Sequence, residues 1–154
     1  LLFKLRRPLT EHFWVNINDS RIPFNGFIQY TNLNPRPDLN GSHIVYVPLY
    51  APTTHPQFQR DNQALFDEYI AALQKVNPSF NTDWVEEYYV FRESFAQAIC
   101  HVGFSKLVPA HETPIPNLYI TDSTQFYPED RTISAAIRLG RHVADLVAAQ
   151  SKDK

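Results

Sequence analysis

The sequence predicts an α+β fold: a largely antiparallel or mixed sheet with two main helices, the C-terminal one packing closely on a sheet. Three observations predict it. Much of the first half alternates in the two-residue period of strands. Helical spacing of apolar residues appears only over 58–75 and again after residue 131. Strands and helices are partly segregated along the chain, which favours antiparallel pairing over a βαβ array.

The elements follow in order. Residues 1–5 form a short apolar strand, ended by Arg6-Arg7-Pro8. Phe13, Val15 and Ile17 alternate with Trp14, Asn16 and Asn18, a half-buried strand closed by Asp19-Ser20. Residues 27–33 and 43–50 make the clearest strand pair, joined by a loop dense in Asn, Pro, Asp and Gly and so most simply antiparallel. Ile44, Tyr46 and Tyr50 face one way, Val45, Val47 and Leu49 the other; with both faces apolar, this reads as a central strand covered on both sides. Leu65, Tyr69 and Leu73 then recur every fourth residue, an amphipathic helix stopped by Asn77-Pro78. Residues 84–92 return to strand, 108–116 carry three prolines as an extended connector, 117–121 read as a short strand and 131–149 as a long helix.

Bulk properties narrow the function. The 154 residues carry 14 Lys and Arg against 16 Asp and Glu, with no basic patch beyond Lys4, Arg6 and Arg7, so phosphate-neutralising nucleic-acid binding is not expected. No apolar stretch has the length of a membrane span and no signal-peptide pattern opens the chain. The single cysteine excludes an internal disulfide and fits a reducing compartment, so the expectation is a cytoplasmic protein. Cys100, within Ala98-Ile99-Cys100, reads as a buried small hydrophobe. The six histidines show neither tight His-x-x-x-His nor Cys-paired spacing, so no metal site is expected. The chain opens on Leu1 and contains no Met, which reads as a fragment cut at a domain boundary.

The tail carries the most chemistry. Asn117-Leu118-Tyr119-Ile120-Thr121-Asp122 leads through a polar turn and Phe126-Tyr127-Pro128 into the long helix, where Ala136, Gly140, Ala144 and Ala148 form a stripe of small residues. Gly140 in a helix interior costs about 1 kcal/mol relative to Ala, which a close-approaching backbone would offset. The first N–H groups of the helix have no intrahelical acceptor and carry partial positive charge. Glu129 and Asp130 beside them disfavour a phosphate and favour a carbonyl, or charge that develops on reduction.

This tail resembles the C-terminal motif of the flavin-containing amine oxidase and protoporphyrinogen oxidase superfamily. Asn117 to Asp122 match its strand and acidic residue, and Ala135-Ala136-Ile137-Arg138-Leu139-Gly140-Arg141 its helix; Pro128-Glu129-Asp130-Arg131 is similar to the bacterial branch. Phe13-Trp14-Val15-Asn16 and Gln29-Tyr30-Thr31-Asn32-Leu33 are also similar to that branch. The resemblance implies that Asp122 contacts the ribityl or pyrophosphate part of FAD, and that backbone amides near Thr132 and Ile133 bond the flavin pyrimidine carbonyl and stabilise the reduced anion. Where the family has Gly before the acidic residue, this chain has Thr121.

No Gly-x-Gly-x-x-Gly occurs; the four glycines stand at 26, 41, 103 and 140, so the dinucleotide phosphate site lies outside this chain. The resemblance then implies residues 1–116 as a substrate-side sheet domain and 117–154 as a strand, loop and helix completing an FAD domain. The main partner is a missing N-terminal dinucleotide-binding half, the ligand a small-molecule substrate, and the fragment alone holds FAD weakly or not at all. Tyr30 and Asn32, on one face of their strand, and Tyr46 on its neighbour form the expected substrate-facing wall. The alternative is a non-catalytic small-ligand or partner-binding domain whose aromatic wall is an apolar pocket.

Overall fold

The computed structural model describes residues 1–152, with side chains described through 150. The chain divides into two compact units, Leu1–Ser94 and Phe95–Lys154. The class is α+β, with one five-stranded antiparallel sheet and two long helices.

Unit 1 contains strands β1 (Leu2–Leu5), β2 (Trp14–Asn16), β3 (Gly26–Gln29), β4 (His43–Tyr46) and β5 (Val85–Tyr89) in the order β2-β3-β4-β1-β5. The strand pair expected from the Asn- and Pro-rich loop is antiparallel, Ile28 opposite Tyr46 and Gln29 opposite Val45. β4 is the middle strand, as its apolar run suggested. Within unit 1 it is covered on one face only. Phe3, Leu5, Phe27, Val45 and Val47 are buried, and α3 (Asn62–Val76) adds Leu65, Tyr69, Ile70, Ala72 and Leu73 to the same core. Phe66 of α3 reaches Tyr88 at 4.2 Å and Phe3 at 6.2 Å between ring centroids, which fixes the helix against this face.

The helical period begins earlier than the helix. A single turn, α2 (Pro56–Gln59), precedes α3, and the break comes at Arg60-Asp61, where Asp61 leaves helical geometry to cap α3 through the Ala64 amide at 2.9 Å. Gly26 is required where β2 meets β3: a Cβ there would stand 2.3 Å from the Val15 carbonyl oxygen.

β3 ends at Gln29, short of the expected Leu33. Gln29 is fully buried; its Oε1 accepts from the Leu9 amide at 2.9 Å and its Nε2 donates to Thr31 Oγ1 at 3.1 Å. Satisfying this buried amide favours a turn over continued pairing, and residues 30–33 close the short helix α1 (Tyr30–Leu33), with Asn34 N–H donating to the Tyr30 carbonyl.

Unit 2 contains α4 (Ile133–Lys152), two 3₁₀ turns at Phe104–Lys106 and Ser123–Phe126, and one β-bridge between Glu112 and Tyr119. The strand expected over 117–121 is therefore a single bridge. Pro114 and Pro116 deny ladder donors to the facing segment, and Asn117 turns with φ of 63°. The connector before residue 117 belongs with the tail rather than with the sheet: Arg131 donates to the Ala96 carbonyl and to Gln97 Oε1, and Gln125 Nε2 to the Pro109 carbonyl. The close contact expected at Gly140 is not met, since a Cβ there would have nothing within 4 Å. Among the described residues no helix is long and apolar enough to cross a membrane.

Candidate functional site

Two places carry the predicted site residues. The first is the sheet face of unit 1 turned away from α3. Register brings five side chains into one row across all five strands: Trp14, Ile28, Tyr46, Leu2 and Tyr89. None of them belongs to the core cluster, and Trp14, Tyr46 and Tyr89 are exposed at 57%, 43% and 46%. Contiguous exposed apolar side chains of this kind make the row a candidate binding surface. Beside Trp14 and Ile28, a groove of about 60 Å³ is closed by Pro48 and Tyr50.

Of the predicted wall, Tyr46 lies in this row and Tyr30 meets it edge-on at 6.0 Å, but from α1 rather than from a strand. Asn32 does not join them as a free amide. Its Nδ2 donates to the carbonyls of Thr10 and His12, tying α1 to the segment before β2. Trp14, Ile28, Leu2 and Tyr89 were absent from the predicted wall. Each strand's own alternation announces them, but only the register joins them across the sheet.

The face is nearly neutral. Lys4 Nζ lies 3.1 Å from Glu87 and 3.6 Å from Glu86, and Arg6 is 3.4 Å from Glu86. Tyr89 donates its hydroxyl to Glu87, which lowers the Glu87 pKa together with Lys4 and raises that of Tyr89. The Glu87 carboxylate beside the row is thus already engaged.

The second place is the tail of unit 2. Asp122 caps the turn Ser123–Phe126: its Oδ1 accepts from the Thr124 amide at 2.7 Å and hydroxyl at 2.6 Å, and Gln125 reciprocates at the Asp122 amide in a capping box. Thr132 caps α4 through the Ala135 amide at 3.1 Å, and Ala136 N–H reaches the Thr132 carbonyl at 3.0 Å. The amides of Ile133 and Ser134 have no acceptor among the described residues, so two donors at the positive end of a 20-residue helix stay open. The acidic neighbours are partly spent: Arg138 pairs with Glu129, and Asp130 accepts from the Arg131 amide. A concavity of about 380 Å³ lies behind the turn, lined among others by Phe126, Pro128, Arg138 and His142.

Cys100 is exposed, against the expectation of burial, because its segment has no core to enter. Among the described residues no three His, Cys, Asp or Glu side chains are grouped to hold a metal ion. No protein family, curated relative or solved structure matches the chain.

Proposed function

We propose that this chain is the C-terminal, substrate-side and FAD-closing part of an amine oxidase-like or protoporphyrinogen oxidase-like FAD-dependent oxidoreductase. The observation that carries the reading is the state of unit 2. Unit 2, which contains the segment that resembles the FAD-closing tail, buries one apolar side chain among its described residues, Ala135, while Phe95, Ile99, Val102 and Ile133 stand at least 82% exposed. A 60-residue segment that cannot remove its apolar surface from water alone gains stability by packing on another body. On this reading the body is a dinucleotide-binding half bearing the Gly-x-Gly-x-x-Gly turn.

The residues present suit such a cofactor. The free Ile133 and Ser134 amides offer neutral hydrogen bonds to a ring carbonyl and partial positive charge to a reduced ring, without a basic side chain. Asp122 is held by its cap with Oδ1 engaged, and its second oxygen is the contact for a ribityl hydroxyl. Flavin, when bound, supplies the hydride-accepting chemistry, and the protein supplies orientation and field. The aromatic row of unit 1 is the substrate-side wall.

The test is to read the gene upstream of Leu1 and to co-express the encoded half with this chain. A strand followed by Gly-x-Gly-x-x-Gly and a yellow complex with flavin absorption are expected. A reading frame that opens at Leu1, or a colourless complex, overturns the proposal. The second reading, a non-catalytic small-ligand or partner-binding domain, rests on the groove between Trp14, Ile28, Pro48 and Tyr50 and is what a colourless complex would favour.

A further inference from the structure

The sequence holds two Asn-Gly pairs, Asn25-Gly26 and Asn40-Gly41. In such a pair the backbone nitrogen that follows asparagine is unhindered, because glycine has no side chain to shield it. We propose that Asn40 is a self-modification site that ages to an aspartyl or isoaspartyl residue, while the sheet of unit 1 protects Asn25.

The Gly41 nitrogen attacks Asn40 Cγ and forms the N–Cγ bond of a succinimide ring. The Cγ–Nδ2 bond breaks, and Nδ2 leaves as ammonia with the proton that Gly41 loses. Water then opens the ring. Cleavage between nitrogen and Cγ leaves an aspartyl residue. Cleavage at the backbone carbonyl routes the chain through Cγ and leaves an isoaspartyl residue. Water is the one co-reactant, and either product adds one negative charge to the loop.

Exposure does not separate the two pairs, since both asparagines are exposed. The backbone does. Asn40 stands in the loop between α1 and β4, left-handed at φ of 51°, and Gly41 follows at φ of 85°. The amides on either side, of Asn40 and Ser42, donate to the Pro37 and Leu39 carbonyls. The Gly41 amide and the Asn40 carboxamide have no hydrogen-bond partner among the described residues. A Cβ at Gly41 would meet nothing within 4 Å, so the nitrogen is approached through open space.

Gly26 is the reverse case. It is buried as the first residue of β3, opposite Asn16, and the Asn25 carbonyl accepts from the Ile17 amide at 2.8 Å. Bringing the Gly26 nitrogen onto Asn25 Cγ turns a peptide plane that this ladder holds, so Asn25 reacts only after β2 and β3 part.

The test ages the full chain in heavy-oxygen water at mildly alkaline pH. Peptide fragmentation in a mass spectrometer follows heavy-oxygen uptake at Asn25 and Asn40 separately, and a methyltransferase that accepts isoaspartyl carboxylates identifies that product. In the folded protein Asn40 is expected to react at least about tenfold faster than Asn25, the difference being the opening of the sheet. In guanidinium chloride, which removes that protection, the two rates should come within about threefold of each other. Asn40→Gln, which would need a ring one atom larger, should end uptake at that position and leave Asn25 unchanged, with far-UV circular dichroism to certify the fold. Equal rates in the folded chain, a faster Asn25, or a ratio that guanidinium leaves unchanged overturns the proposal. So does an Asn40 amide that survives in the folded chain and reacts only in guanidinium, because the turn would then protect it as the sheet protects Asn25.

Discussion

The two units solve the problem of apolar surface in opposite ways. Unit 1 closes a core: thirteen buried apolar residues, from Phe3 to Phe80, lie between one face of the sheet and α3. Unit 2 is built on hydrogen bonds, many of them local, with a few longer ones from Arg131 to Ala96 and Gln97 and from Tyr119 to Gln150. Thr113 Oγ1 serves a turn at Ile115 and Leu118, Asp122 a capping box, Thr132 a helix cap. Local bonds of this kind fix backbone direction but remove little surface from water, and each contributes about 0.5–2 kcal/mol. The comparison teaches that order and stability are separable: unit 2 has defined elements and no store of buried area to defend them.

The largest effect should separate the units by substitution alone. Leu73 is completely buried, and Leu73→Ala should cost about 2–5 kcal/mol, visible as a large fall in the urea midpoint of unit 1. Leu118 is half exposed, and Leu118→Ala should stay within about 0.5 kcal/mol. A loss of comparable size from Leu118→Ala would break the comparison, because unit 2 would then hold a cooperative core of its own.

The second effect is confined to unit 2. Thr132→Ala removes the cap on the Ala135 amide and should destabilise the start of α4 by about 1 kcal/mol. Hydrogen exchange at the first turn of α4 should accelerate roughly fivefold, while the protection of α3 stays as it was. Faster exchange along α3 as well would mean that the two units open together.

How much of this was legible follows the same division. Where a residue's neighbours in sequence decide its structure, the pattern sufficed. Leu65, Tyr69 and Leu73 gave α3, and the loop between residues 33 and 43 gave an antiparallel pair. Where a distant contact decides, it did not. Nothing local announces that Gln29 will be buried against the Leu9 amide, and that contact ends β3 and moves Tyr30 and Asn32 off the strand. The wall was half legible for the same reason: Tyr46 was singled out, but its row partners Trp14, Leu2 and Tyr89 come from strands whose order follows from non-local pairing. In the tail, the turn and helix start were legible from Asp122 and the Pro128 to Arg131 stretch. The stripe through Gly140 pointed to a close partner that no described residue supplies.

The smallest effect is electrostatic and sharpens the contrast from the side of unit 1. Asp19 holds a turn in which Arg21 donates to its carboxylate from Nε at 3.0 Å and from Nη2 at 2.7 Å, with the Arg21 amide at 2.9 Å and Ile22 N–H on the Asp19 carbonyl. The Arg21 side-chain hydrogen bonds, then its amide, bring the carboxyl from 3.8 to about 2. A carboxyl lowered on folding stabilises the native state above its unfolded value, and that contribution is lost as the pH falls through 3.8 towards about 2. The pair is solvent-exposed, so the contribution is small and weakens further in salt. It still reaches the core, because the turn it holds delivers Ile22 and then Phe24, which packs on Tyr69 at 5.0 Å. Titration of the Asp19 carboxyl carbon by NMR should therefore centre near 2, and Arg21→Ala should return it towards 3.8 with a slight fall in the urea midpoint of unit 1 at neutral pH. An Asp19 titration unmoved by Arg21→Ala would detach the turn from its guanidinium and leave the backbone bonds as its only support.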